Sequence, residues 1–377
     1  MFPTQGKSIK CKAAVAWSAN KPLSIETIEV AVPEKDEVRV KIISTGVCHS
    51  DESILNGFNP KEYFPVLLGH EAAGIVESVG AEVKSIRPGD HVIPLFIPQC
   101  QQCDLCKNPD TNLCAKIVNE KGNLSNDPKS IKCKGVLLSQ VVNLGTFSEY
   151  SIFHERNLTK INSKAPLDKI PIFGCCVPTG FGAAVHCAKV KKGSTCAIWG
   201  LGGVGMSVIM GCLYQEAKEI IGVDINPDKF QLAKKIGCTK CINPKDFDKP
   251  IELVLMEMTN GGLDYAFVAV GSKAVAKTAL MATRMGTGKL IVIGLVPEEV
   301  SLPTMDLLMG RTVVGTYCGG SKGLTDIPKM VDEYLEGKLP TDDLITHVIS
   351  LDDINKGFDL LKTGESLRTI VLMKHEK

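Results

Sequence analysis

The stretch CAIWGLGGVGMSVIMGCL, residues 196–213, decides the fold. It sets Gly200, Gly202 and Gly205 in G-x-G-x-x-G spacing directly after the apolar run Cys196–Trp199, with a helical pattern behind them. In such a loop the first glycine permits a tight turn and the second lets the backbone approach a pyrophosphate. The third allows close helix–strand packing. The N–H groups of the new helix, around Gly203 and Val204, face the phosphates. The motif alone is weak, but the next apolar run, EIIGVD, ends on Asp224, nineteen residues after Gly205. An acid at that point accepts hydrogen bonds from both ribose hydroxyls and repels a 2′-phosphate, so the pattern favours NAD over NADP. Lys229, five residues on, either pairs with the ribose or sits in water. The competing reading, glycines as plain turn residues and Asp224 as a loop cap, leaves this strand–turn–helix–strand context unexplained.

Working outward, AAVHCAK, CAIWGL, SVIMGCL, EIIGVDI, KFQLAKKIG, LDYAFVAV and KLIVIGL alternate helix-like segments with short apolar strands. That alternation predicts βαβ units on a parallel sheet buried on both faces. The expected class is α/β, a doubly wound parallel-sheet domain. Residues 1 to about 175 read differently, as short β-branched strands such as VRVKIIST (38–45), AAGIVESV (72–79) and HVIPLFI (91–97) between turn residues. Beyond Gly319 come amphipathic segments, IPKMVDEYLEGK (327–338) and INKGFDLLKTG (354–364). Residues 116–145 are the least regular and read as a long surface connection.

The composition narrows the function. With 43 basic and 42 acidic side chains in 377 residues, the net charge of +1 gives no reason to expect nucleic acid or an anionic membrane as partner. No apolar run reaches the roughly 18–20 residues needed to cross a bilayer. The polar N-terminus MFPTQGKSIKCK lacks a signal-peptide apolar region, so the expected location is the cytoplasm. Fifteen cysteines, an odd number in a long chain, suit a reducing compartment with some thiolates as metal ligands.

Two ligand sets stand out. Cys100, Cys103, Cys106 and Cys114 lie in CQQCDLCKNPDTNLC, spaced C-x2-C-x2-C-x7-C. Four thiolates within so short a segment can close a tetrahedral zinc shell with no position left for chemistry. An iron–sulfur cluster of the ferredoxin type calls for proline after the fourth cysteine, where this chain has Ala115. The second set is dispersed: Cys48 in GVCHSDES, His70 and Glu71 in GHEAAGIVESVG, and Cys175 in FGCCVPTGFG. Singly, each reads as structural. Together, two thiolates and an imidazole form a Cys2His zinc site with one coordination position open.

GHEAAGIVESVGAEV, Gly69 to Val83, fits the G-H-E-x2-G-x5-G-x2-V pattern of zinc-containing medium-chain alcohol dehydrogenases. The four-cysteine lobe, the GLGGVG loop, the acid after the next strand and the C-terminal SLRTIVL follow in that family's order. The chain resembles the family over its whole length, and within it the dimeric animal and plant branch. The resemblance implies a GroES-like catalytic domain of residues 1–178 and 319–377, with a structural zinc lobe near 98–116. An NAD-binding Rossmann domain, 179–318, would lie between. It further implies two zinc ions, one on Cys48, His70 and Cys175 with Glu71 behind it and Asp51 orienting His70. His49 and Arg368 would meet the pyrophosphate, Thr179 the nicotinamide, and Ile293 and Leu295 would shape its cradle. A homodimer joined through VSLPTMDLLMGRTVVGTY (300–317) is implied as well.

The activity implied is reversible hydride transfer between a small alcohol, primary or secondary, and NAD, with aldehyde or ketone reduction as the reverse. Zinc would act as Lewis acid and Ser50 as first proton acceptor. Two features depart from the family. The position five after Cys48, often a relay histidine, is Ser53, which cannot act as a base near neutral pH. Asn59, Lys61 and Val118 replace the acidic side chains and arginine with which glutathione-dependent relatives hold their substrate. The 116–145 segment also lacks the family's DGTSRF run, so the rim of the substrate channel is expected to be reshaped. Phe58, Phe96 and Leu295 are candidates for the pocket lining. Rival readings are a reductase of one larger carbonyl compound and a catalytically idle protein recruited from the family.

Overall fold

The computed structural model describes residues 4, 6–58, 64–116, 130–295 and 299–375. Asn59, Lys61 and residues 117–129 of the irregular segment, Val118 among them, lie outside the described residues. The chain divides into two compact units, residues 1–175 with 322–377, and residues 176–321.

Among the described residues the first unit holds two sheets. One is built on Ile9–Ala16 and Ser24–Val30, whose inward residues Ile9, Cys11, Ala13, Val15, Ile28 and Val30 form a buried cluster. The alternation seen there is that of a strand with one wet face. The other sheet is seven-stranded and centres on Glu37–Val47, which pairs antiparallel with Glu71–Val79, Tyr150–His154 and Arg368–Leu372. Glu71–Val79 is buried along nearly its whole length, which is why it reads as a continuous rather than an alternating apolar run. The predicted strand 91–97 stops at Pro94. One further bond continues its register, Leu95 donating its N–H to Asn157 O at 2.7 Å. The register decides where the site lies. Gly46 stands opposite Glu71, and Val47 opposite Thr369, so the end of one strand meets the beginnings of its two neighbours.

The second unit is one parallel sheet of six strands. In order they are Lys240–Ile242, Glu219–Val223, Thr195–Trp199, Tyr265–Val268, Lys289–Val292 and Thr312–Gly315. Numbered along this unit the order is 3-2-1-4-5-6, so the topology switches beside Thr195–Trp199, where the glycine loop begins. Ala197, Trp199, Ile221, Val223, Val268 and Leu290 build the core over the sheet. The helix Gly203–Tyr214 is buried on almost every side. That explains its lack of an amphipathic stripe.

Two helices of this unit, Ile251–Met258 and Lys273–Met281, lie between the apolar runs read from the sequence. The amphipathic segments near the C-terminus form helices at Asp326–Leu335 and Ile354–Lys362. Among the described residues no helix is long and apolar enough to cross a membrane. All fifteen cysteines are thiols rather than disulfides.

Candidate metal centres and cofactor site

The strand register brings distant residues to one sheet edge. Cys48 follows the strand Glu37–Val47, His70 precedes Glu71–Val79, and Arg368 opens Arg368–Leu372. Cys175 arrives at the end of the 3-10 turn Ile170–Gly174. One ligand atom from each of Cys48, His70, Glu71 and Cys175 lies within 4.8 Å of the others. His70 Nδ1 is 3.0 Å from Asp51 Oδ2, which leaves Nε2 as its donor toward a metal. Asp51 is held in turn by the N–H of Gly69, 2.8 Å from Oδ1. The Phe96 and His70 rings pack edge to face, their centroids 5.8 Å apart.

The charges in this cluster are strongly coupled. A hydrogen bond with Cys175, helped by Arg368 and His70, holds the Cys48 thiol well below its ordinary range against the opposing effect of burial. Burial disfavours the charged imidazole of His70, but Asp51 and Cys48 outweigh it and raise the group well above its ordinary value. Glu71 is pushed up to about 8 by burial, aided by the nearby negative groups and opposed by Arg368. Both Glu71 oxygens are buried without a hydrogen bond, although Arg368 Nη2 stands 3.0 Å from Oε1.

A cation fits this site. Two thiolates and an imidazole are the donor set of catalytic zinc, and a buried, unbonded carboxylate gains from a positive charge beside it. Arg368, expected to face a pyrophosphate, is 3% exposed and directs Nη2 at Glu71 and, 3.8 Å away, at Cys48 Sγ. Ser50 sits exposed on the first turn of the helix His49–Leu55, its Oγ 3.8 Å from Cys48 Sγ. His49 is exposed on the same turn. Ser53 donates to His49 O at 2.9 Å, a bond within the helix.

The four-cysteine lobe forms around the short helix Asp104–Lys107. Cys100 and Cys106 Sγ are 3.9 Å apart, and Cys103 and Cys114 Sγ 4.0 Å. The N–H groups of Cys106 and Ala115 point at Cys103 Sγ from 3.4 and 3.3 Å, and they lower that thiol to about 6. Four sulfurs that converge in this way, with one stabilised as thiolate, suit a closed tetrahedral metal site. Lys322 Nζ donates to the carbonyls of Cys106 and Asn108, both at 2.8 Å. Nothing in the local sequence pointed to this tether, since more than 200 residues separate the partners.

In the second unit Gly200 has φ +92°, and a Cβ on Gly205 would stand 1.8 Å from Gly200 O. Neither position admits a side chain. A Cβ on Gly202 would meet nothing within 4 Å. Gly202 caps the helix Gly203–Tyr214 and offers no side chain to its first N–H groups, including those near Val204, which suits a cradle for an anion. Asp224 Oδ2 accepts from Leu201 N at 2.7 Å and lies 3.4 Å from Lys229 Nζ, while Oδ1 accepts from Asn226 N at 2.8 Å. The acid expected at the ribose therefore also latches the glycine loop. Ile293 and Gly294 both donate to Val268 O, Leu295 is 59% exposed, and Thr179 is half-buried. Phe58 is exposed and Phe96 buried.

Residues 34–163 match the alcohol dehydrogenase GroES-like domain, and residues 203–336 match the zinc-binding dehydrogenase domain. An alcohol dehydrogenase zinc-binding domain protein from Burkholderia ambifaria is 32% identical over 98% of this chain and 100% of its own, with a TM-score of 0.90. The chain belongs to the zinc-binding medium-chain dehydrogenase family. It is an oxidoreductase with a GroES-like domain and a Rossmann domain. Within the family, benzyl alcohol dehydrogenase from Acinetobacter calcoaceticus is 29% identical, with a TM-score of 0.88 over 97% of this chain and 100% of its own. A putative zinc-binding dehydrogenase from Sinorhizobium meliloti 1021, bound to NADP, shares the fold at 23% identity and a TM-score of 0.75, covering 97% of this chain and 99% of its own.

Proposed function

We propose that this dehydrogenase is a cytoplasmic, NAD-dependent alcohol dehydrogenase that interconverts small primary or secondary alcohols with aldehydes or ketones. The observation that carries the reading is the convergence of Cys48, His70 and Cys175 beside an unbonded buried carboxylate. Zinc bound there supplies Lewis acidity, which makes an alcohol proton removable near neutral pH. A second zinc in the four-cysteine lobe serves structure alone.

Asp51 fixes the His70 ring through Nδ1, so that the imidazole keeps one orientation through turnover. Ser50 Oγ takes the alcohol proton and passes it toward the cofactor ribose and solvent. With serine at position 53 its onward path is water or His49. Asp224 accepts from the adenosine ribose and repels a 2′-phosphate, with Lys229 beside it. The N–H groups at Gly202, Gly203, Val204 and Gly205 receive the pyrophosphate, with His49 as a further partner, while Arg368 stays committed to Glu71 and Cys48. Thr179, Ile293 and Leu295 hold the nicotinamide.

The homodimer of the animal and plant branch fits an exposed apolar surface on the second unit. Met305, Leu308, Met309 and Tyr317 flank Thr312–Gly315, the edge strand of its sheet. A bare edge strand beside such a surface is a pairing template. Leu308→Arg should yield monomers in analytical ultracentrifugation, and an unchanged dimer would remove this surface from the reading. The functional test is a metal count with an alcohol panel. Two zinc ions per chain and NAD-linked oxidation of small alcohols are expected. One zinc ion, or no turnover on any alcohol or carbonyl, would overturn the proposal.

A further inference from the structure

We propose that Gly46 is a positioning residue of the Cys48–His70–Cys175 metal site. The bare face it leaves on its strand holds the Glu71 carboxylate beside Arg368 and out of the coordination position the three donors leave open. The inference rests on the metal reading above.

Gly46 stands directly opposite Glu71 in the antiparallel pair. Its φ is not positive, so the backbone there accepts any residue and only space demands glycine. A Cβ on Gly46 would lie 2.6 Å from Glu71 Oε2, 3.3 Å from Glu71 Cβ and 3.5 Å from its Cδ. Even one methyl group therefore collides with the carboxylate and crowds its stem. The Glu71 backbone has little room to shift away either, because Gly174 packs so close that a Cβ there would stand 3.2 Å from Glu71 Cα. The direction left is toward the donors, which a Glu71 oxygen already approaches within 4.8 Å. Neither Glu71 oxygen makes a hydrogen bond among the described residues, so the Arg368 ion pair, Nη2 3.0 Å from Oε1, is what the displaced carboxylate must give up. Gly46→Ala should thus drive the carboxylate onto the metal as a fourth ligand.

The test uses the full chain with zinc kept in the four-cysteine lobe and cobalt(II) exchanged into the open site. Four forms are compared: native, Gly46→Ala, Glu71→Ala and the double variant. The readout is the visible spectrum of cobalt and its response to added imidazole, which occupies an open coordination position. In Gly46→Ala the spectrum should shift and the apparent imidazole Kd rise by about tenfold or more. In the Glu71→Ala background the same substitution should change neither, since its effect runs through the carboxylate. An unchanged Gly46→Ala spectrum, or an equal change in both backgrounds, overturns the inference. If Gly46→Ala does not fold, recovery in the double variant supports it and failure of both overturns it. Absence of a thiolate–cobalt band at this site in the native chain would instead remove the metal reading itself.

Discussion

Replacing Asp224 with glycine should destabilise the protein before any cofactor is added. The carboxylate is 8% exposed and accepts from two backbone N–H groups, of Leu201 at 2.7 Å and of Asn226 at 2.8 Å. Leu201 is fully buried within the glycine loop, so its N–H loses its acceptor with no water to replace it. Leaving one buried donor unsatisfied costs about 1–3 kcal/mol. The Asn226 bond is closer to solvent and contributes less. Urea denaturation of the cofactor-free protein should show this loss, while Asp224→Asn, which keeps one acceptor oxygen, should recover part of it. On top of this, NAD loses charge-assisted bonds to the ribose worth about 1.5–3 kcal/mol, roughly 10- to 100-fold in Kd. Removing the charge and releasing Lys229 would narrow the preference for NAD over NADP. The loosened loop should nevertheless keep both cofactors weaker than NAD on the native protein. Isothermal titration with each cofactor measures the second effect. A glycine variant as stable as the native protein would refute the latch, and equal efficiency of the native enzyme with NAD and NADP would refute the role in discrimination.

Ser50→Ala should lower hydride transfer in single-turnover experiments by at least ~10²-fold with zinc content unchanged, the scale of a positioned proton-transfer group. Undiminished transfer would end its role as proton acceptor. Ser53→His adds a base with pKa near ~6.5 and should speed alcohol oxidation most around neutral pH. Lys322→Met removes two hydrogen bonds to the lobe, at ~1.5 kcal/mol or more in total, and should speed chelator-driven loss of one of the two zinc ions about tenfold; equal rates would show that the tether is idle. Arg39 Nε and Glu77 Oε2 form a fully buried pair at 2.7 Å, so Glu77→Gln should cost about 3–5 kcal/mol in urea denaturation. Burial alone would raise the Glu77 carboxyl, but Arg39, Ser78 and Thr4 hold it below its ordinary value of 4.5. The native advantage should therefore be complete above that pH and shrink as pH falls through the depressed value. A difference independent of pH across the acid range would contradict this.

The sequence by itself determined what depends on short stretches of chain. Four cysteines within one lobe, and three glycines between a strand and a helix, lie close enough along the backbone that local geometry leaves few alternatives. Four strands of the parallel sheet were legible for a related reason, since each is a compact apolar run between helical segments, whereas its two edge strands, Lys240–Ile242 and Thr312–Gly315, are not. The helices Ile251–Met258 and Lys273–Met281 were not, because the first carries apolar residues outside its buried face as well and the second buries mainly alanines. Only the tertiary structure decided the relations between remote segments. Cys48 and His70 meet because antiparallel register sets the end of one strand beside the start of another, and Cys175 joins them from the 3-10 turn Ile170–Gly174; residue spacing carries no trace of either. The same register turns Arg368 toward Glu71 and leaves Gly46 as the clear space behind that carboxylate. Asp224 could be read as a ribose acceptor from its distance to the glycines. That it also anchors Leu201 depends on two parallel strands lying side by side, which brings the end of one against the turn that follows the other.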